Sequence, residues 1–191
     1  MGADEMILME DMVIHTRNIV VSKLAATTGL NISLSDEQNP EDEPPYGYYS
    51  IISPYVPTGE MGSHIQHTET NPDTGEKYIR DVRYEHPSMV LSFNFCSRNR
   101  KLANGVQVNG ETEAMSLAMK AVAYLKHAGV EALSNEGAVV LSVSNCASRS
   151  GIVGDEYVRR WGFDVTLRYK AITVNNIGIA EEVRTNQQQE E

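Results

Sequence analysis

The residues whose types and spacing suit chemistry are few and scattered along the chain. His64 and His67 stand three apart, the H-x-x-H spacing that brings two imidazoles onto one face of a helix. On a strand, residues three apart point to opposite faces instead, and the stretch from His64 to Thr70 reads as a strand. His15, His86 and His127 have no cysteine or carboxylate cluster at ligand spacing. The sequence therefore gives no reason to expect a metal site. The best nucleophile candidate is Cys146 in "VSNCASRS", with Arg149 and Asp155 following it. A reactive thiolate needs a helix N-terminus or a neighbouring histidine. Cys146 has neither and reads as a small strand residue. Ser142, Ser144, Ser148 and Ser150 form no G-x-S-x-G elbow. Gly151 and Gly154 in "SGIVGD" lack the lysine and the following helix of a phosphate loop. The neighbouring carboxylates Asp155 and Glu156, and Glu181 and Glu182, read as solvated turn residues. No catalytic residue and no cofactor is assigned.

What remains is charge. Arg98, Arg100 and Lys101 form one basic cluster, and Arg149, Arg159 and Arg160 a second, with Arg168 and Lys170 farther along. Gripping a duplex takes a cationic surface that displaces phosphate counterions. This chain has a net charge of −10 and a pI of about 5.0, so the clusters are expected to meet protein and not DNA. An acidic wall can still surround DNA without holding it, because it repels phosphate. The expected subunit or partner contacts are Arg98, Arg100, Arg149, Arg159, Arg160 and Trp161, with His64 and Tyr78 from a polar hairpin.

The elements that would position these residues follow from the hydrophobic pattern. The 191 residues, 41% hydrophobic and 22% charged, are typical of a globular chain with a real core. Two cysteines, Cys96 and Cys146, make no disulfide framework and read as buried thiols in a reducing compartment. The acidic start "MGADEMILMEDMVIH" has no basic flank and does not read as a signal peptide, and no run approaches a membrane span.

Met6 to Thr28 repeats apolar residues at helical steps and stops at Gly29. Leu30 to Leu34 alternates as a short strand. An acidic, proline-bearing loop fills Asp36 to Pro45, and "YGYYSIISPYVP" reads as an edge strand because Pro54 and Pro57 remove ladder donors. Gly59 to His86 reads as a long hairpin turning at "NPDTG", with too little apolar surface to pack at home. "SMVLSFNFC" is a strong strand. Glu111 to about Leu133 carries a narrow alanine-rich stripe and reads as one helix, capped by Asn109. "AVVLSVSNC" is a further strand, and "ASRSGIVGDE" a loop. Glu156 to Ala171, "EYVRRWGFDVTLRYKA", reads as the longest strand, with strict alternation from Phe163 onward. "NNIG" after Val174 reads as a turn before a last short strand, and residues 185–191 as a disordered tail. The pattern is α+β: an antiparallel or mixed sheet with two helices packed on one face, plus a protruding hairpin arm. One domain is expected over 1–191, with the acidic loop and hairpin arm inserted at about 36–86.

Pro87 to Val183 resembles the phage neck (tail) terminator proteins. The resemblance rests on the succession "MVLSFNF", an alanine-rich helix, "AVVLSVSN", an arginine-bearing loop, "RRWGFDVTLRY" and "NIGIAEEV". Its most specific block is Tyr157 to Tyr169, centred on Arg160, Phe163 and Asp164. It implies a virion subunit of α+β build that assembles, usually as a homohexameric ring, on the head-proximal end of the tail tube. There it stops tube growth, meets the tube protein and the head-completion or connector protein, and a sheath protein where the tail contracts. DNA passes through such a ring without sequence-specific binding, and no catalysis or cofactor is implied. Two alternatives stay open at this point: a head–tail adaptor or tail-completion protein of the same particle, and an enzyme with an unrecognised site around Cys146.

Overall fold

The computed structural model describes residues 9–35, 43–59, 62–153 and 156–178. The first helix, α1 (Met9–Thr28), ends where Gly29 turns left-handed at φ 76° and its N–H reaches the Ala25 carbonyl. Two short elements lead into the main sheet: β1 (Ile32–Leu34) and β2 (Tyr46–Val56), which pair in parallel from Ile32–Gly47 to Leu34–Tyr49. The hairpin strands β3 (Ser63–Thr70) and β4 (Lys77–Glu85) pair antiparallel, joined by the Asn71–Gly75 turn with Gly75 at φ 74°. Then come β5 (Ser88–Ser97) and the small hairpin β6 (Arg100–Lys101) with β7 (Gln107–Val108).

Asn109 caps the next helix, α2 (Gly110–Ala123): its side-chain oxygen accepts from the N–H groups of Glu111 and Thr112. Glu111 and Glu113 in the first turn favour the same dipole. The stripe read as a single helix to Leu133 is in fact three pieces. After α2 the backbone widens into a π-turn (Tyr124–Ala128), and α3 (Val130–Asn135) follows beyond Gly129. The break sits where the Tyr124 ring folds back: a Cβ on Gly129 would lie 2.3 Å from that ring. Leu125 and Leu133, on either side of the break, are both fully buried.

The chain closes with β8 (Val139–Val143), β9 (Ala147–Ser148), β10 (Gly151–Val153), β11 (Glu156–Arg168) and β12 (Ala171–Gly178). The expected loop at "ASRSGIVGDE" thus contains β9 and β10, both laid along one edge of β11. The main sheet runs β1-β2-β5-β11, with β8, β9 and β10 sharing the far edge of β11. Pro54 sits where β2 has lost its outer neighbour, since β1 reaches only to Tyr49; the expected edge character holds for that half of the strand.

One phase of β5 and β11 forms the core. Met89, Leu91, Phe93, Phe95, Phe163, Val165 and Leu167 are all fully buried, and they share a single apolar cluster with Ile19, Val20 and Leu24 of α1 and with Ala118 and Ala121 of α2. Small alanines bring α2 close to the sheet, and the phenylalanine rings of β5 and β11 stack at 5.8 and 6.2 Å between centroids. Both helices therefore cover the same face, as the sequence predicts.

The second sheet, β12-β4-β3, is joined to the first without a slip. Arg168 faces Ser88 in the main sheet, and Ala171 faces Glu85 in the second. Three steps forward on one strand match three steps back on the other, so the ladder keeps one register across the joint. The Tyr169 N–H bonds to the Pro87 carbonyl at 3.1 Å between the two sheets. The "NNIG" turn expected after Val174 does not form: β12 runs straight through Asn175 and Asn176, paired to Asp81 and Arg80. Pairing to β4 outweighs the local turn preference. Residues 1–8, 36–42 and 179–191, including most of the acidic loop and the whole tail, lie outside the described residues.

Candidate interaction surface

The face of the main sheet opposite the helices is polar, yet its inner rows are not bare. Ser92 and Asn94 of β5 are only 6% and 7% exposed. They are covered from the β9–β10 segment, where Arg149 turns its side chain inward. Arg149 Nη2 donates to Asp164 Oδ1 at 2.8 Å, and Nη1 donates to Ser92 Oγ at 2.7 Å and Asn94 Oδ1 at 3.3 Å. Ser92 Oγ also donates to Asp164 Oδ1 at 2.6 Å. Gly162 makes room for this arrangement: a Cβ there would lie 2.5 Å from the Phe93 carbonyl, 2.6 Å from Asn94 Oδ1 and 3.1 Å from the Arg149 stem. Burial works to raise the Asp164 pKa, but the Ser92 hydroxyl and the Arg149 cation outweigh it and hold the carboxyl below its usual range.

Arg160 lies on the same face. Its Nη1 donates to Tyr48 Oη at 2.6 Å and its Nε to the Arg149 carbonyl at 2.8 Å. Burial pushes the Tyr48 hydroxyl up, against the pull of Arg160. Both arginines named from the sequence are thus tied into their own sheet. Trp161 is on the other phase, beside the helix layer: its Nε1 donates to Glu111 Oε1 at 2.5 Å, and the hydroxyls of Ser148 and Ser150 reach the same carboxylate. Arg159 stands 5.4 Å from the centre of the Tyr157 ring. Tyr157 pairs across strands with Ile152, and these two are 55% and 76% exposed.

Arg100 makes a two-pronged pair with Glu113 of α2, at 2.5 and 2.8 Å, and Ser97 donates to the same carboxylate. The Arg100 contact, more than any other, lowers the Glu113 pKa. Arg98 and Lys101 are exposed on the same connector, and Leu102 and Val106 at its tip are 40% and 53% exposed.

His64 and Tyr78 fall on opposite faces of the second sheet. His64 pairs with Arg83, and its Nε2 lies 2.5 Å from Oδ1 of the buried Asp81. Tyr78 pairs with Glu69 and donates to its Oε2 at 2.6 Å; His67 and Arg80 contact the other oxygen of that carboxylate. His64 and His67 therefore point apart, as strand geometry requires. Among the described residues no group of three or more histidine, cysteine or acidic side chains could hold a metal ion. Cys146 is half-buried, and burial raises its thiol pKa against the weaker influence of Arg149.

Sequence reasoning did not find the Ser92–Asn94–Asp164 row. Its signal was present in "LSFNF", where small polar residues alternate with buried aromatics. An arginine three residues after the end of the "AVVLSVSNC" run, in "CASR", supplied the cover.

The joint between the sheets is the other well-built place. Tyr169 is 1% exposed and its hydroxyl donates to the Pro54 carbonyl at 3.1 Å. The Tyr55 hydroxyl donates to Glu85 Oε2 at 3.0 Å, and Lys170 Nζ lies 4.6 Å from the centre of the Tyr84 ring. The end of β2 is thereby fastened to the point where the ladder leaves the main sheet.

The protein is a mixed α+β subunit whose polar groups are spent on holding one sheet together and whose second sheet is largely exposed. The chain belongs to the phage neck terminator protein family: the family model matches residues 17–189, nearly the whole length. No curated protein matches the chain. The family places it among virion proteins of the phage tail and neck, with a structural role and with other head or tail proteins as neighbours. Among the described residues no helix is long and apolar enough to cross a membrane.

Proposed function

We propose that this protein forms a closed ring on the head-proximal end of the tail tube, ends tube growth there and joins the tail to the head connector. The observation that carries this reading is the family match over residues 17–189. The ring is most simply a homohexamer. Its neighbours are the tube protein on one side, the head-completion or connector protein on the other, and a sheath protein if the tail contracts. Assembly takes place in the host cytoplasm. The chain acts as a scaffold and not as an enzyme.

The distribution of charge supports a DNA passage that does not grip. Nearly half of the 26 acidic residues lie in segments 1–8, 36–42, 60–61, 154–155 and 179–191, which hold a single basic residue, Arg184. The described residues are close to charge balance, so the net charge of −10 is contributed by those segments. If they border the passage, they repel phosphate along it.

Partner contacts in this reading fall on Arg98, Arg159, His64 and Tyr78, with Arg100, Arg149, Arg160 and Trp161 holding the strands that present them. Electron microscopy of assembled necks, with native mass spectrometry of the purified protein, tests the proposal. A ring at the tube end is expected. A protein found against the portal and away from the tube would make it an adaptor, and one that joins no ring and no tail would end the reading.

A further inference from the structure

We propose that neighbouring copies join edge to edge through the second sheet, with β3 of one copy adding to β12 of the next. Three observations lead there. First, the sheet order β12-β4-β3 leaves β3 and β12 each with a ladder on one side only among the described residues. Second, both outer strands are unguarded. Proteins that keep an edge strand free of partners blunt it with lysine, proline, a bulge or a very short strand. β3 is "SHIQHTET" and β12 is "AITVNNIG": neither holds a proline, lysine or arginine, and β12 carries no charge at all. Each runs eight residues in unbroken register with β4, an edge of about 26 Å at the usual rise per residue. The one acidic side chain on β3, Glu69, is turned to Tyr78, His67 and Arg80 within the sheet. Third, the sheet is held by the unslipped ladder into β5 and β11 and by the Tyr169–Pro54 and Tyr55–Glu85 bonds, so its edges are presented by the body of the protein.

The occupant that fits is a second copy of this chain. The two edges differ, so joining one to the other is a head-to-tail contact, which closes into a ring when its rotation divides the circle. β3 and β12 both run antiparallel to β4 and hence parallel to each other. Each contact is then a parallel ladder, and the three-stranded sheets of successive copies become one continuous sheet around the ring. Addition of a strand to an open edge draws on main-chain hydrogen bonds and needs little side-chain specificity.

This inference rests on the ring reading above, and the test separates the two. In β12, alternate N–H groups point toward β4 and away from it. Proline is placed at Asn175 and, in a second protein, at Asn176, both exposed. The ladder keeps the phase in which the Tyr169 N–H bonds Pro87, so Asn175→Pro removes a β4 ladder N–H and Asn176→Pro an outward one. The expected result is that Asn176→Pro keeps its circular dichroism and melting temperature but no longer forms rings, while Asn175→Pro loses stability. Hydrogen exchange on the unmodified protein supplies an independent reading: outward amides of β3 and β12 should exchange roughly 100-fold more slowly in the ring than in the dissociated chain. Rings whose outward amides exchange as in the free chain, or rings formed by both proline variants, overturn the edge-to-edge contact and leave the ring itself standing. Wild-type protein that forms no ring on a tube end removes both.

Discussion

Replacing Arg149 by alanine separates two roles for that residue: a tie within its own sheet, or a cation held out for a partner. The structure favours the first, through three bonds to Asp164, Ser92 and Asn94. A hydrogen bond to a charged group is worth about 1.5–3 kcal/mol when well shielded. Here the ion pair is partly open to water, with Arg149 29% and Asp164 38% exposed, so its share falls toward the ~0–1 kcal/mol of surface pairs. Ser92 and Asn94 are far more buried, and stripping their partner adds a desolvation cost that Ser92 offsets by keeping Asp164. The net loss is about 1–2 kcal/mol, or a fall in Tm of about 2–8 °C for a chain of this size. Calorimetry at pH 7 reads it directly, and a cycle with Asp164→Ala should return a coupling of about 1 kcal/mol. Acid gives a further check. The Asp164 pKa is lowered in the folded protein, so its stabilisation is fully present above the ordinary aspartate value of about 3.9 and is lost as pH falls through the folded value. Wild type and Arg149→Ala should therefore converge as pH drops below about 4. An Arg149→Ala protein with an unchanged Tm at pH 7 that no longer assembles would refute the tie and make Arg149 a partner-facing cation.

Gly162→Ala forces a Cβ against the Phe93 carbonyl and Asn94, and should cost about 1–3 kcal/mol, read as a lower urea midpoint; an unchanged midpoint would mean that β5 and β11 sit farther apart than described. Burial pushes the Cys96 thiol up to about 11, against a weaker pull from Tyr46 and Arg160, so at pH 8 a maleimide should label the half-buried Cys146 at least ~10-fold faster; equal rates would contradict the closed sheet. Glu111→Ala removes the acceptor of the only tryptophan, and the Trp161 emission should shift to the red with a stability loss of about 1–2 kcal/mol; unaltered emission would show that the indole has no such partner.

The parts of this fold that were legible from sequence are those where one residue after another repeats a single instruction. Strict alternation from Phe163 to Ala171 and in "SMVLSFNFC" fixed two strands and the phase that faces the helices, because a period of two admits only one buried side. The alanine stripe gave α2 and its cap. What was illegible depends on pairing between distant residues. "NNIG" carries a strong turn preference, and only the eight partners offered by β4 keep it extended. The break after Ala123 sits where the Tyr124 ring packs over Gly129, a contact that helical periodicity does not encode. For the surface, charge and type singled out the arginines but carried no information on where their side chains point. Arg149 and Arg160 turn inward because Ser92, Asn94 and Tyr48 offer acceptors, and those acceptors sit more than fifty residues earlier in the chain.

The unslipped ladder through the joint has a mechanical consequence. Ten pairs join β5 to β11 and eight more join β4 to β12, with no change of register between them. A pull along the strands at the far end of β12 loads those hydrogen bonds in shear, all together, whereas a pull across the strands would peel them one at a time. A subunit loaded lengthwise along β11 and β12 resists with its whole ladder. Pulling single molecules from Gly178 in the two directions should give a much higher rupture force along the strands than across them.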